Sequence, residues 1–172
     1  GDVYWKRKSI IGMKTPAGKV SFGLNKTTDK VLATKYDMIG SNFAGFKTMS
    51  DYIAIGDRID NGLFFESNKI DGLGGKFYLD HQFGEVAGES SGNTRTGVGA
   101  TFKIAGINGF VAYSEAKGST GSSDWDQYGF GVSYKTDNKI VIKAQYWDLS
   151  AESNADSTSG LGYSADGEGY SL

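Results

Sequence analysis

The 172-residue chain has no cysteine, which removes disulfides, thiolate catalysis and zinc–thiolate centres from consideration. Histidine occurs once, at His81, and proline once, at Pro16. A lone imidazole with no partner at ligand spacing makes neither a metal centre nor a catalytic base. No apolar run approaches the roughly 20 residues of a transmembrane helix. The net charge of −2 offers no basic surface for nucleic acid. Gly72-Leu73-Gly74-Gly75 lacks the Gly-Lys-Ser/Thr continuation of a phosphate loop, and no serine-centred elbow occurs. The expectation is a protein that is not an enzyme, with no catalytic residue, metal or cofactor. Hydrophobic residues make up only 38% of the chain, low for a packed soluble core. Yet 13% of residues are aromatic and 26 are glycine, and disordered chains are poor in aromatics. This combination suits a sheet with one wet face.

Period-two alternation is the dominant pattern present. From Thr94 to Lys103, Thr96, Val98, Ala100 and Phe102 alternate with Arg95, Gly97, Gly99, Thr101 and Lys103. Tyr128, Phe130, Val132 and Tyr134 alternate with Gln127, Gly129, Gly131, Ser133 and Lys135. Ile142, Ala144 and Tyr146 alternate with Lys143, Gln145 and Trp147. Successive side chains of a strand point to opposite faces, so each segment has an apolar and a polar face. Repeated segments of this kind, split by turns, are the sequence mark of a membrane-spanning β-barrel.

The same reading places strands at residues 3–14, 19–25, 57–66, 74–82, 94–103, 109–115, 126–136 and 139–149, with a strand cut short at 169–172. On the third, Ile59, Leu63 and Phe65 are expected on one face and Arg58, Asp60 and Glu66 on the other. Short turns at 15–18, 68–72, 105–108 and 137–138 alternate with long polar loops, the asymmetry of outer-membrane barrels. The longest loop, about 26–56, contains residues 31–39, which are expected to form a short helix. Tyr4, Trp5, Tyr128, Tyr134, Tyr146 and Trp147, near strand ends, are expected either in aromatic girdles at the lipid–water boundary or in packing contacts. Glu152, Asp156, Asp166 and Glu168 match no calcium loop and are expected to be solvated. No linker divides the chain, so residues 1–172 are expected to form one unit.

Several motifs resemble those of the Gram-negative general porins. Lys6-Arg7-Lys8-Ser9-Ile10-Ile11-Gly12 through Gly18-Lys19-Val20-Ser21-Phe22-Gly23 resembles a porin hairpin leading into the third loop. Tyr36-Asp37-Met38-Ile39-Gly40-Ser41-Asn42-Phe43-Ala44-Gly45 is similar to the Tyr-Asp…Phe-Gly-Gly stretch of that loop. Arg58 to Ser67 is similar to the strand that follows, and Gly72 to Phe77 to the next hairpin turn. Leu24 stands where the family usually has arginine, and Asn42 where it has an acidic residue. The resemblance implies an all-β, antiparallel transmembrane β-barrel of about sixteen strands, of which this chain supplies about half, as an internal portion or an incompletely determined sequence. Gly1 opens directly into polar and aromatic sequence, without a signal-peptide pattern.

The resemblance further implies a loop at 26–56 folded into the lumen, a homotrimer in the Gram-negative outer membrane in contact with lipid and lipopolysaccharide, and passive diffusion of small hydrophilic solutes and ions. Charges at the narrowest point set selectivity in such a channel. Arg58 is the first candidate on the wall side, inward by alternation, with Arg7, Arg95, Lys103 and Lys143 behind it. Asp37 is the candidate on the opposing side. Lys35 and Asn42 complete the candidate constriction, modified by Asp29, Lys30 and Asp51. Two other readings remain open from sequence: a small eight-stranded structural or adhesive outer-membrane barrel, and a soluble carbohydrate-binding β-sandwich.

Overall fold

The computed structural model describes residues 8–37, 58–84, 93–118, 123–153 and 165–171. They form nine strands and one helix: β1 (Ser9–Thr15), β2 (Gly18–Lys26), α1 (Thr28–Tyr36), β3 (Arg58–Ser67), β4 (Phe77–Gln82), β5 (Thr94–Ile104), β6 (Ile107–Lys117), β7 (Ser123–Lys135), β8 (Val141–Ser153) and β9 (Ala165–Ser171). The strands make one antiparallel meander in the order β1 to β9. Among the described residues β1 and β9 do not pair with each other, so the sheet is not closed.

The sheet is inside-out relative to a soluble domain. Cross-strand partners share a face, and the register Val111–Phe130–Tyr146 runs along one side. That side is bare: Phe130 is 51%, Ile142 56% and Ile11 78% exposed. The opposite side carries Ser21, Asp80, Arg95, Ser114, Gln127 and Gln145, all buried. A sandwich covers its apolar face with a second layer; here the covered face is the polar one. Contiguous exposed apolar surface of this extent marks contact with lipid or another apolar partner.

Several local details depart from the sequence expectations. The helix lies three residues earlier than expected, at Thr28–Tyr36. Thr27 caps it, its Oγ1 accepting from Lys30 N at 3.2 Å, and extended backbone at Asp37 ends it. β4 starts at Phe77 rather than at residue 74, because Gly74 has φ +66° and Ile70 N donates to Gly75 O at 2.8 Å in a tight turn. The β7–β8 connection spans residues 136–140 rather than two residues, and the positive φ falls on Lys139. Thr136 closes it, its N–H donating to Ile140 O at 2.8 Å and its Oγ1 accepting from Ile140 N at 3.2 Å. β9 begins at Ala165, four residues before the expected start.

In β3 the expected alternation breaks. Gly62 pairs with Gly23, but Ile59 pairs with Asn25, so β3 holds one extra residue around Asp60 and Asn61. Asn61 has φ +46°, the signature of a β-bulge. Ile59 and Phe64 therefore share the inner face, both buried, while Leu63 and Phe65 face outward. Trp147 is also inward, fully buried against Phe110 at 5.6 Å, and belongs to no girdle. Tyr128, Tyr134 and Tyr146 do stand on the outer side, where Tyr113 joins them. Tyr4 and Trp5 lie outside the described residues.

Candidate pore constriction

α1 lies across the inner faces of β4 to β8. Nine residues are too few for a stable helix in water, so its order comes from this contact. Leu32, Ala33 and Tyr36 point into the wall and are buried with Phe110, Ala112, Trp147 and Leu149. Tyr36 stacks on Phe110 at 4.7 Å and donates its hydroxyl to Gly109 O at 2.8 Å. Burial, with a smaller contribution from Tyr78, pushes the Tyr36 phenol up to about 12. The wall admits the helix because it is glycine-lined at the contact. A Cβ on Gly99 would stand 2.5 Å from Leu32 Cδ1 and 2.9 Å from Thr28 Cγ2.

Charged groups on the wall hold both ends of the helix. At its N-terminus, Thr28 N donates to Asp80 Oδ1 at 2.5 Å. Arg95 forks between Asp80 and Asp29, donating Nη1 to the first and Nη2 to the second. All three side chains are buried. Asp29 Oδ2 also accepts from Ser114 Oγ at 2.7 Å and Gln127 Nε2 at 2.8 Å. At the C-terminus, Lys143 Nζ donates to Lys35 O at 3.2 Å and Asp37 O at 2.9 Å. A carboxylate at the N-terminus and an ammonium at the C-terminus match the helix macrodipole. The helix is thus clamped in register by β4, β5, β6, β7 and β8 together.

The candidate residues divide accordingly. Arg95 is 4% exposed and ion-paired with two carboxylates through Nη1 and Nη2; it anchors α1 rather than facing open water. Asp37 is buried at the helix C-terminus. Lys35 is exposed, its Nζ 5.8 Å from the Tyr36 ring centre. Arg58 opens β3 opposite Lys26. The bulge gives Ile59 the inward position that alternation assigned to Arg58. Arg7 and Asn42, with Asp51, lie outside the described residues. Lys103 takes the inner parity of β5. His81 is on the outer side, its Nδ1 3.0 Å from Thr96 Oγ1.

Sequence reasoning missed Asp80, Ser114 and Gln127 as parts of the anchor. One signal was available: Asp80 is an acid on the polar face of β4, and its register partner is Gly97, whose missing side chain leaves it room.

Comparison with known proteins gives two findings. A family profile described as Gram-negative porin matches residues 1–172. No curated protein matches the chain.

Proposed function

The chain belongs to the Gram-negative porin family, and from that premise we propose that it walls a water-filled channel for passive diffusion of small hydrophilic solutes and ions. Membership in the family implies the outer membrane and points to a non-enzymatic channel. The observation that carries the reading is the sidedness of the sheet: exposed apolar residues on one face, and on the other a polar surface with a helix laid across it. In lipid every backbone group must be satisfied, so the edges of β1 and β9 must be closed by further strands. A barrel of about sixteen strands leaves an aqueous lumen wide enough for α1, whereas eight strands leave room only for side chains.

In this reading residues 1–172 act as one unit of the wall and segment 26–56 narrows the lumen. Arg7 and Asp37 flank the aperture, with Lys35 and Asn42 near them and Arg58 where segment 26–56 rejoins the wall; Arg95 acts on it by holding α1 in place. The protein works as a homotrimer whose outer face meets lipid and lipopolysaccharide. Planar-bilayer recording on the full-length protein tests this. Stepwise conductance is expected, and its absence refutes the channel.

A further inference from the structure

The chain as a whole is slightly acidic, with a net charge of −2, but its two faces differ in sign. Lys19 follows the inner parity of Ser21 on β2, and Lys14 pairs with it across β1. Lys103 and Lys143 follow the inner parity of Thr101 and Gln145. The positions of the acids of β6 to β8, Glu115, Asp124, Asp126, Asp148 and Glu152, take the outer parity of Tyr113 and Tyr128.

Three inner acids are engaged by cations, and Asp60 accepts from Gln82 Nε2 at 3.0 Å. Asp80 and Asp29 are held by Arg95. Glu66 accepts from Lys76 Nζ at 2.6 Å and is also the cross-strand partner of Lys19. Glu66 thus stands beside two lysines and is ion-paired with Lys76. Among the described residues no carboxylate pairs with Lys8, Lys14 or Lys103. Lys14 and Lys19 stand directly opposite each other, a like-charge juxtaposition that destabilises a sheet. An anion between them relieves that repulsion.

The geometry adds a place for such an anion to rest. A cleft of about 260 Å³ opens on the inner face between β2–β4 and the start of α1, lined by Lys8, Lys19, Asn25, Thr28, Glu66 and Tyr78 among others. It combines ammonium groups with amide, hydroxyl and phenol donors around an engaged carboxylate. Resting on the channel reading, we propose that the lumen selects for anions. The lysine-lined cleft beside α1 is a transit site for small solutes bearing carboxylate or phosphate groups.

The test is reversal-potential measurement on the full-length protein in planar bilayers under a KCl gradient. The wild type is expected to pass chloride in preference to potassium. Lys14→Glu with Lys19→Glu is expected to lower the chloride-to-potassium permeability ratio several-fold, and Lys14→Gln with Lys19→Gln by a smaller factor. Glu115→Gln, on the outer face, leaves the ratio unchanged. Inorganic phosphate at millimolar concentration is expected to reduce chloride current in the wild type and to lose that effect in the double glutamate variant. A wild-type preference for potassium overturns the proposal. So does a permeability ratio that the glutamine pair, with normal conductance, fails to move. Failure of the wild type to conduct at all overturns the channel reading itself.

Discussion

Arg95→Met tests the clamp that holds α1. Arg95 is the only cation bonded to Asp29 and Asp80 among the described residues, and both carboxylates are fully buried. Removing it leaves two like charges facing each other out of water. Breaking a buried pair by deleting one partner costs about 3–5 kcal/mol. At about 1.4 kcal/mol per factor of ten, docking of α1 weakens by two to nearly four orders of magnitude. The remaining anchors, Lys143 at the other end and the apolar face of Leu32, Ala33 and Tyr36, then hold a helix too short to persist alone. Limited trypsin digestion of the detergent-solubilised protein reads this directly. Cleavage after Lys30, which is buried in the docked helix, is expected to accelerate by at least tenfold, while the rest of the sheet stays protected. The triple change Arg95→Met, Asp29→Asn, Asp80→Asn separates charge from shape. It should recover much of the protection, because uncompensated burial rather than loss of the pair is the main cost. If Arg95→Met leaves α1 as resistant as in the wild type, the ion network does not hold the helix.

Three further outcomes follow from the same contacts. Gly99→Val places side-chain atoms where Leu32 and Thr28 already stand. Overpacking of this kind costs about 1–3 kcal/mol, and the same trypsin assay should show faster cleavage with the sheet intact. Tyr36, with its phenol pushed up to about 12, binds its proton more tightly folded than unfolded. Its contribution is complete below pH 10 and lost as pH rises through 12. Ultraviolet titration should show a tyrosinate signal above pH 11 that Tyr36→Phe reduces by one tyrosine's amplitude, and a titration near 10 for that residue refutes its burial. Phe130→Arg puts a charge on the bare outer face. A cost of about 2–4 kcal/mol near the bilayer midplane should appear as reduced folding yield into liposomes, and unchanged yield argues that Phe130 does not meet lipid.

Much of this was legible in the residues alone, because the alternation of a strand is local. Val98, Phe130 and Ile142 announced the outer face, and Gln127, Gly129 and Gln145 the inner, since each depends only on its neighbours two positions away. Turn chemistry of the same local kind marked the two-residue connections at 16–17 and 105–106, but the β6–β7 connection, expected to be long, spans only 118–122, as many residues as the β7–β8 turn. A single inserted residue defeats such counting: the bulge at Asp60 and Asn61 reversed the parity of Ile59 and Arg58, and no pattern inside β3 reveals it. Trp147 was equally ambiguous, because an aromatic ring near a strand end suits a lipid boundary or a packed interior. Its inward parity alone did not decide; the presence of Phe110 across the sheet and of α1 above it did.

The helix and its anchor belonged to tertiary structure entirely. Asp29 meets Arg95 across 66 residues and Gln127 across 98, distances over which composition and periodicity carry no information. The sequence by itself determined that this chain would form strands with one greasy and one wetted face. Only the folded sheet decided which polar groups on the wetted face would be spent holding a helix and which lysines would have no carboxylate partner among the described residues. The reason is that register aligns residues from five strands onto one short helix, and a charge becomes an anchor or is left outside the anchor according to what that alignment sets beside it.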